Sequence, residues 1–197
     1  MSDFFGPPPP PPPEPPDHRS PEWSGPPENE LGVVVPVQIE LIRTDQVSLA
    51  IPALFVYSTG SMLTLVLRQR KRRPMHASSV PPFHRFSQPD ALRFGVQFAD
   101  GSKTTAEPPM RPGETLAPPQ LVLRGTSNPG GRSSETTMWM WPLPLPGPLV
   151  FVCEWRAEGI ELTRHELDAQ VILDAAAEVD ELWPDERPVT GAWTGLG

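Results

Sequence analysis

Apolar and polar residues alternate by twos through much of the middle of the chain. Leu149, Phe151, Cys153 and Trp155 alternate with Val150, Val152, Glu154 and Arg156, the repeat of a strand with one face in a core. The same reading holds for Val33, Val35, Val37, Ile39 and Leu41, and for Leu92, Phe94, Val96 and Phe98. It predicts further strands over residues 47–57, 62–70, 102–107, 120–125 and 137–141. In the last of these Thr137, Trp139 and Trp141 share one face, and Met138 and Met140 the other. Pro36 has no N–H to give to a ladder on both sides, so residues 33–41 read as an edge or early strand. Very short connections at 44–46 and 59–60 predict an antiparallel meander, and Asp100-Gly101 predicts a tight hairpin. The run PLPLPGP ahead of Leu149 reads as the rigid loop of a hairpin between the last two strands.

The period changes after residue 162. Thr163 and Glu166 stand at capping-box spacing, with Leu162 and Leu167 at the hydrophobic-staple positions. Leu167, Val171, Ala175, Val179 and Leu182, flanked by Ile172, Ala176 and Trp183, form one stripe at helical spacing. The expected helix spans 163–183 and stops at Pro184, because a residue before proline is pushed out of the helical region. Its carboxylates Asp168, Asp174, Glu178, Asp180 and Glu181 read as a solubilising face. The fold class is therefore mainly β: a two-layer antiparallel β-sandwich, of which the immunoglobulin-like arrangement is one solution, with one C-terminal α-helix packed on it.

Composition sets the boundaries of this unit. The 197 residues include 30 prolines and 15 glycines, so a good part lies outside regular elements. Residues 1–30, with prolines at 7–13, 15 and 16, are expected to be a disordered tail rich in polyproline II. Phe4, Phe5 and Trp23 are apolar handles in it, and it reads as a spacer or as a ligand for an aromatic-lined groove. Residues 31–184 form the domain, 71–90 its long irregular loop, and 185–197 a mobile tail. The start carries no basic region followed by an apolar one, and no apolar run approaches 18 residues, so a cytoplasmic protein without a membrane span is expected.

The formal charge of −8 argues against wholesale binding to nucleic acid or anionic lipid. Fourteen of the 16 basic residues are Arg, and only Lys71 and Lys103 are Lys. With the load of Pro, Ala and Gly, this layout resembles uncharacterised proteins of GC-rich actinobacteria. That resemblance implies a bacterial source and no mechanism.

Candidate chemistry is sparse. Of four histidines only His76 and His84, in the long loop, suggest a ligand pair, and neither stands at a metal-site spacing with Cys or carboxylate. Cys153, in an apolar strand beside Glu154, reads as a small core residue rather than a nucleophile. No G-x-S-x-G and no phosphate-binding glycine loop occurs. Two features remain. The basic run Arg68, Arg70, Lys71, Arg72 and Arg73 could meet phosphates or an acidic partner. Trp139 and Trp141, if one face of their strand is open, carry residues enriched at recognition surfaces. The leading expectation is a non-catalytic protein-interaction or structural module without cofactors. The alternatives are an enzyme or small-ligand binder near residues 71–90, and a nucleic-acid binder acting through Arg68 to Arg73.

Overall fold

The computed structural model of the chain describes residues 21–71, 91–106, 117–127 and 132–184. Eleven strands are described: β1 Glu30–Leu31, β2 Val33–Arg43, β3 Val47–Val56, β4 Ser61–Gln69, β5 Arg93–Gln97, β6 Lys103–Thr105, β7 Gln120–Ser127, β8 Ser133–Trp141, β9 Pro148–Trp155, β10 Ile160–Asp168 and β11 Asp180–Glu181. One α-helix, α1, spans Gln170–Ala176. The fold is mainly β, a sandwich of a five-stranded antiparallel sheet, β2-β3-β4-β8-β7, on a four-stranded one, β10-β9-β5-β6. The two short strands β1 and β11 pair as a separate ribbon.

Alternation builds the core between the layers. Leu49, Ile51, Leu54, Leu63, Leu65, Leu67, Met138 and Met140 point in from the large sheet and are buried. From the small sheet Phe94, Val96, Leu149, Phe151, Cys153 and Trp155 meet them. The Phe94 and Phe151 rings, on neighbouring strands, stack with centroids 6.2 Å apart. The meander β2-β3-β4 and the Asp100-Gly101 hairpin form as the turn chemistry requires, with Gly101 at φ 85° where a side chain would be strained. Pro36 does lie on an edge strand.

Four expectations need correction. The predicted helix over 163–183 is a strand in its first third. There β10 pairs with β9, Thr163 opposite Cys153, His165 opposite Phe151 and Leu167 opposite Leu149. These three inward positions hide the two-residue period because two of them are polar. Their polarity is met from other strands: Thr163 Oγ1 lies 3.0 Å from Cys153 Sγ on the paired strand β9, and His165 Nε2 lies 3.0 Å from the Leu41 carbonyl on β2. Ladder pairing thus overrides the local capping box. The helix that follows is seven residues long and buries Ala169, its N-cap residue, with Ile172 and Ala175, packing beside β2 and β3. Val171 and Leu182, placed in the core stripe by the helical reading, are exposed, and Leu182 follows β11.

Secondly, β8 and β9 are not a hairpin. Residues 142–147 carry the chain from one sheet to the other, with the Leu143 amide held by the Thr59 carbonyl. Thirdly, residues 21–30, expected to be part of a disordered tail, lie against the domain. Residues 21–29 form a strap that includes a 3-10 turn, Glu22–Ser24, and its end is tied to the ribbon by the Leu182 amide on the Asn29 carbonyl. Lastly, Asp180 and Glu181 belong to the ribbon rather than to a helical face. Expectations for residues 1–20, 72–90 and 185–197 lie outside the described residues.

Gly60 shows how tightly the tip of the β3–β4 turn is fitted. A Cβ there would stand 2.5 Å from the Met140 carbonyl oxygen and 2.8 Å from the Trp139 ring. Backbone cannot retreat as a side-chain tip can, so Gly60→Ala is expected to cost about 2 kcal/mol, read as a lowered midpoint in denaturant.

Candidate functional site

The register places one residue from each strand of the large sheet in a single outward row: Val34 opposite Phe55, Phe55 opposite Met62, Met62 opposite Trp139, and Trp139 opposite Val122. All five are apolar, on the side away from the core. The sequence carried a signal for this that alternation alone passes over. Val33-Val34-Val35 and Leu54-Phe55-Val56 are unbroken apolar runs, as expected where a strand has something to bury on both faces.

The two ends of the row differ. At β7 and β8, Val122 and Trp139 are 3% and 0% exposed. The strap lies over them: Trp139 Nε1–H donates to the Glu22 carbonyl at 2.9 Å, and Arg124, at an irregularity in β7, donates from Nη1 to the Ser24 carbonyl. Tyr57 meets the edge of the Trp139 ring, centroids 5.8 Å apart. Burial, and secondarily the Glu30 charge, push the Tyr57 hydroxyl pKa above its ordinary value. At β2 and β3 the row is open, with Val34 55% and Phe55 42% exposed.

No family model, curated protein or solved structure compared with this chain matches it. The reading of the site therefore rests on its own geometry.

Of the residues singled out by sequence, Trp139 is buried under the strap and Trp141 is half-buried opposite Gln120. Arg68, Arg70 and Lys71 are exposed at the opposite end of the large sheet from the 57–60 turn. Arg132 joins them, since the Gln69 amide donates to the Arg132 carbonyl and the Arg70 amide to that of Gln46. Arg68 stands 3.4 Å from Glu135 and Arg43 2.9 Å from Glu40, exposed pairs of the kind that contribute little to stability. Arg72 and Arg73, like His76 and His84, lie outside the described residues. Among the described residues no three His, Cys, Asp or Glu side chains gather as metal ligands, and no helix is long and apolar enough to cross a membrane.

Cys153 is 1% exposed, and burial pushes its thiol pKa up, partly offset by the Thr163 hydroxyl. A raised folded-state pKa leaves stability intact below the ordinary thiol value. Stability is then lost as pH rises past that value and through the folded one, because only the unfolded chain ionises freely. We expect the native thiol to resist alkylation between pH 7 and 9 and to react fully once denaturant is added, followed by mass spectrometry. Rapid native labelling would contradict the packing of β9 against β10.

Proposed function

We propose that the protein is a non-catalytic interaction module that binds a protein partner through the outer face of its five-stranded sheet. One observation carries the reading: a continuous apolar row crosses that face, its β7–β8 end covered by a segment of the same chain and its β2–β3 end open at Val34 and Phe55. A face that already holds one peptide by apolar burial and side-chain donors is chemically fitted to hold polypeptide. Adjacent exposed apolar side chains are what recognition surfaces share. A cytoplasmic setting, without membrane attachment, is part of this proposal.

The test is affinity capture on the full-length chain, followed by a titration with the purified captured protein. The Val34→Ser/Phe55→Ser pair should lose at least tenfold in affinity, and Leu162→Ser, equally exposed but on β10, should lose less than twofold. Equal affinity in all three would overturn the proposal.

A second reading, binding of nucleic acid, is favoured by the grouping of Arg68, Arg70, Lys71 and Arg132 at one end of the sheet. It predicts a steep loss of affinity for single-stranded DNA with rising salt, and a shallower slope in Arg70→Gln/Arg132→Gln. No measurable binding at 20 mM salt would end it. A site near residues 71–90 remains the enzyme or ligand-binding alternative, with zinc analysis of the purified protein as its check.

A further inference from the structure

The covered end of the row shows what chemistry this face selects. Both sheet groups that reach the strap, the Trp139 indole and the Arg124 guanidinium, are pure donors, and both of their partners are main-chain carbonyls. Nothing they touch depends on the identity of the side chains at 22 or 24. Gly25 lies flat against the guanidinium, where an added Cβ would be 3.3 Å from Arg124 Cζ. Within the strap, Ser24 donates from both its amide and its hydroxyl to the Pro21 carbonyl. Residues 21–27, PEWSGPP, include three prolines, which offer carbonyls but no N–H and arrive with φ already restricted. Two side-chain donors beside the Trp139 and Tyr57 rings are matched to such a segment. A peptide rich in N–H groups would leave some of them buried without acceptors.

We infer that the Val122, Arg124 and Trp139 end of the outer face is a binding site for proline-rich segments, held at rest by the chain's own residues 21–27. The strap is then the resident competitor of a proline-rich segment offered in trans. This inference rests on the interaction reading above and gives the chemistry of the ligand.

The probe is a twelve-residue peptide with the sequence of residues 18–29, HRSPEWSGPPEN, added unlabelled to the full-length chain carrying 15N-tryptophan. In Pro21→Gly/Trp23→Gly/Pro26→Gly/Pro27→Gly, the Trp139 indole resonance should move from its native position, and return towards it saturably as peptide is added. A peptide with its prolines replaced by alanine should bind at least fivefold more weakly, and adding Arg124→Ala should weaken the original peptide at least tenfold. No saturable return, or equal binding of the alanine peptide, overturns the inference. The unaltered chain gives an independent reading. A nitroxide on the proline-rich peptide should broaden the Trp139 indole resonance as the peptide competes with the strap, and the alanine peptide should not. If the fourfold variant fails to fold, this second measurement decides, and no broadening overturns the inference. Failure here beside a partner lost in Val34→Ser/Phe55→Ser removes the ligand class and leaves the interaction reading standing. Peptide binding without such a partner does the reverse.

Discussion

A chain cut before Leu31 is expected to be about 3 kcal/mol less stable than one cut before Pro21, and its tryptophan emission to shift to the red. The difference is the strap. Without residues 21–30, Trp139 and Val122, now buried, face water on the outer side of the large sheet. Re-exposing about 80–100 Å² of apolar surface costs about 2–2.5 kcal/mol, and the lost indole hydrogen bond to the Glu22 carbonyl about 1 kcal/mol more. The longer cut also removes Glu30, whose carboxylate accepts from the Ser58 amide and hydroxyl, and with it the β1–β11 pairing. Denaturant midpoints of the two truncated proteins measure the difference. Equal midpoints would mean that the strap does not cover Trp139 in solution. A truncation at residue 30 is the cut that composition suggests, and it would damage the domain while appearing to remove only a tail.

The second large effect belongs to the core. Phe151→Ala is expected to cost about 4 kcal/mol, since the ring is fully buried, stacked on Phe94 and opposite His165. Leu162→Ala should change stability by less than about 0.5 kcal/mol, because in β10 that side chain is 53% exposed on the outer side. The helical reading of residues 163–183 makes the opposite claim for Leu162, as half of a hydrophobic staple. A loss above about 1 kcal/mol at Leu162 would therefore favour the helix over the strand.

Where hydrophobicity and period agreed, the sandwich could be read directly: Leu149 to Trp155 and Leu92 to Phe98 sit with the expected faces inward. Alternation put Met138 and Met140 on one face and Trp139 on the other without saying which was inward; the methionines face the core and Trp139 the outer side. What escaped the sequence depends on partners far along the chain. Thr163 and His165 fill inward positions because Cys153 and the Leu41 carbonyl are there to receive them, and the partner of His165 lies 124 residues away, outside any local window. The strap escaped for the same reason. Its Gly, Ser and Pro content reads as tail until the indole of Trp139, 117 residues away, is set beneath it. The candidate row needed the register of five strands before Val34, Phe55, Met62, Trp139 and Val122 could be seen as neighbours. Arg124 had no signal at all in the sequence.

The ribbon of β1 and β11 has a mechanical consequence. Glu30 stands opposite Glu181, and Asn29 beside Leu182, so the strap enters the ribbon and the chain after β11 leaves it at the same end of an antiparallel pair. Tension drawn between those two ends reaches the rungs one after another instead of sharing the load among them. The ribbon would unzip at low force and lengthen the molecule by a few residues, leaving the two main layers intact.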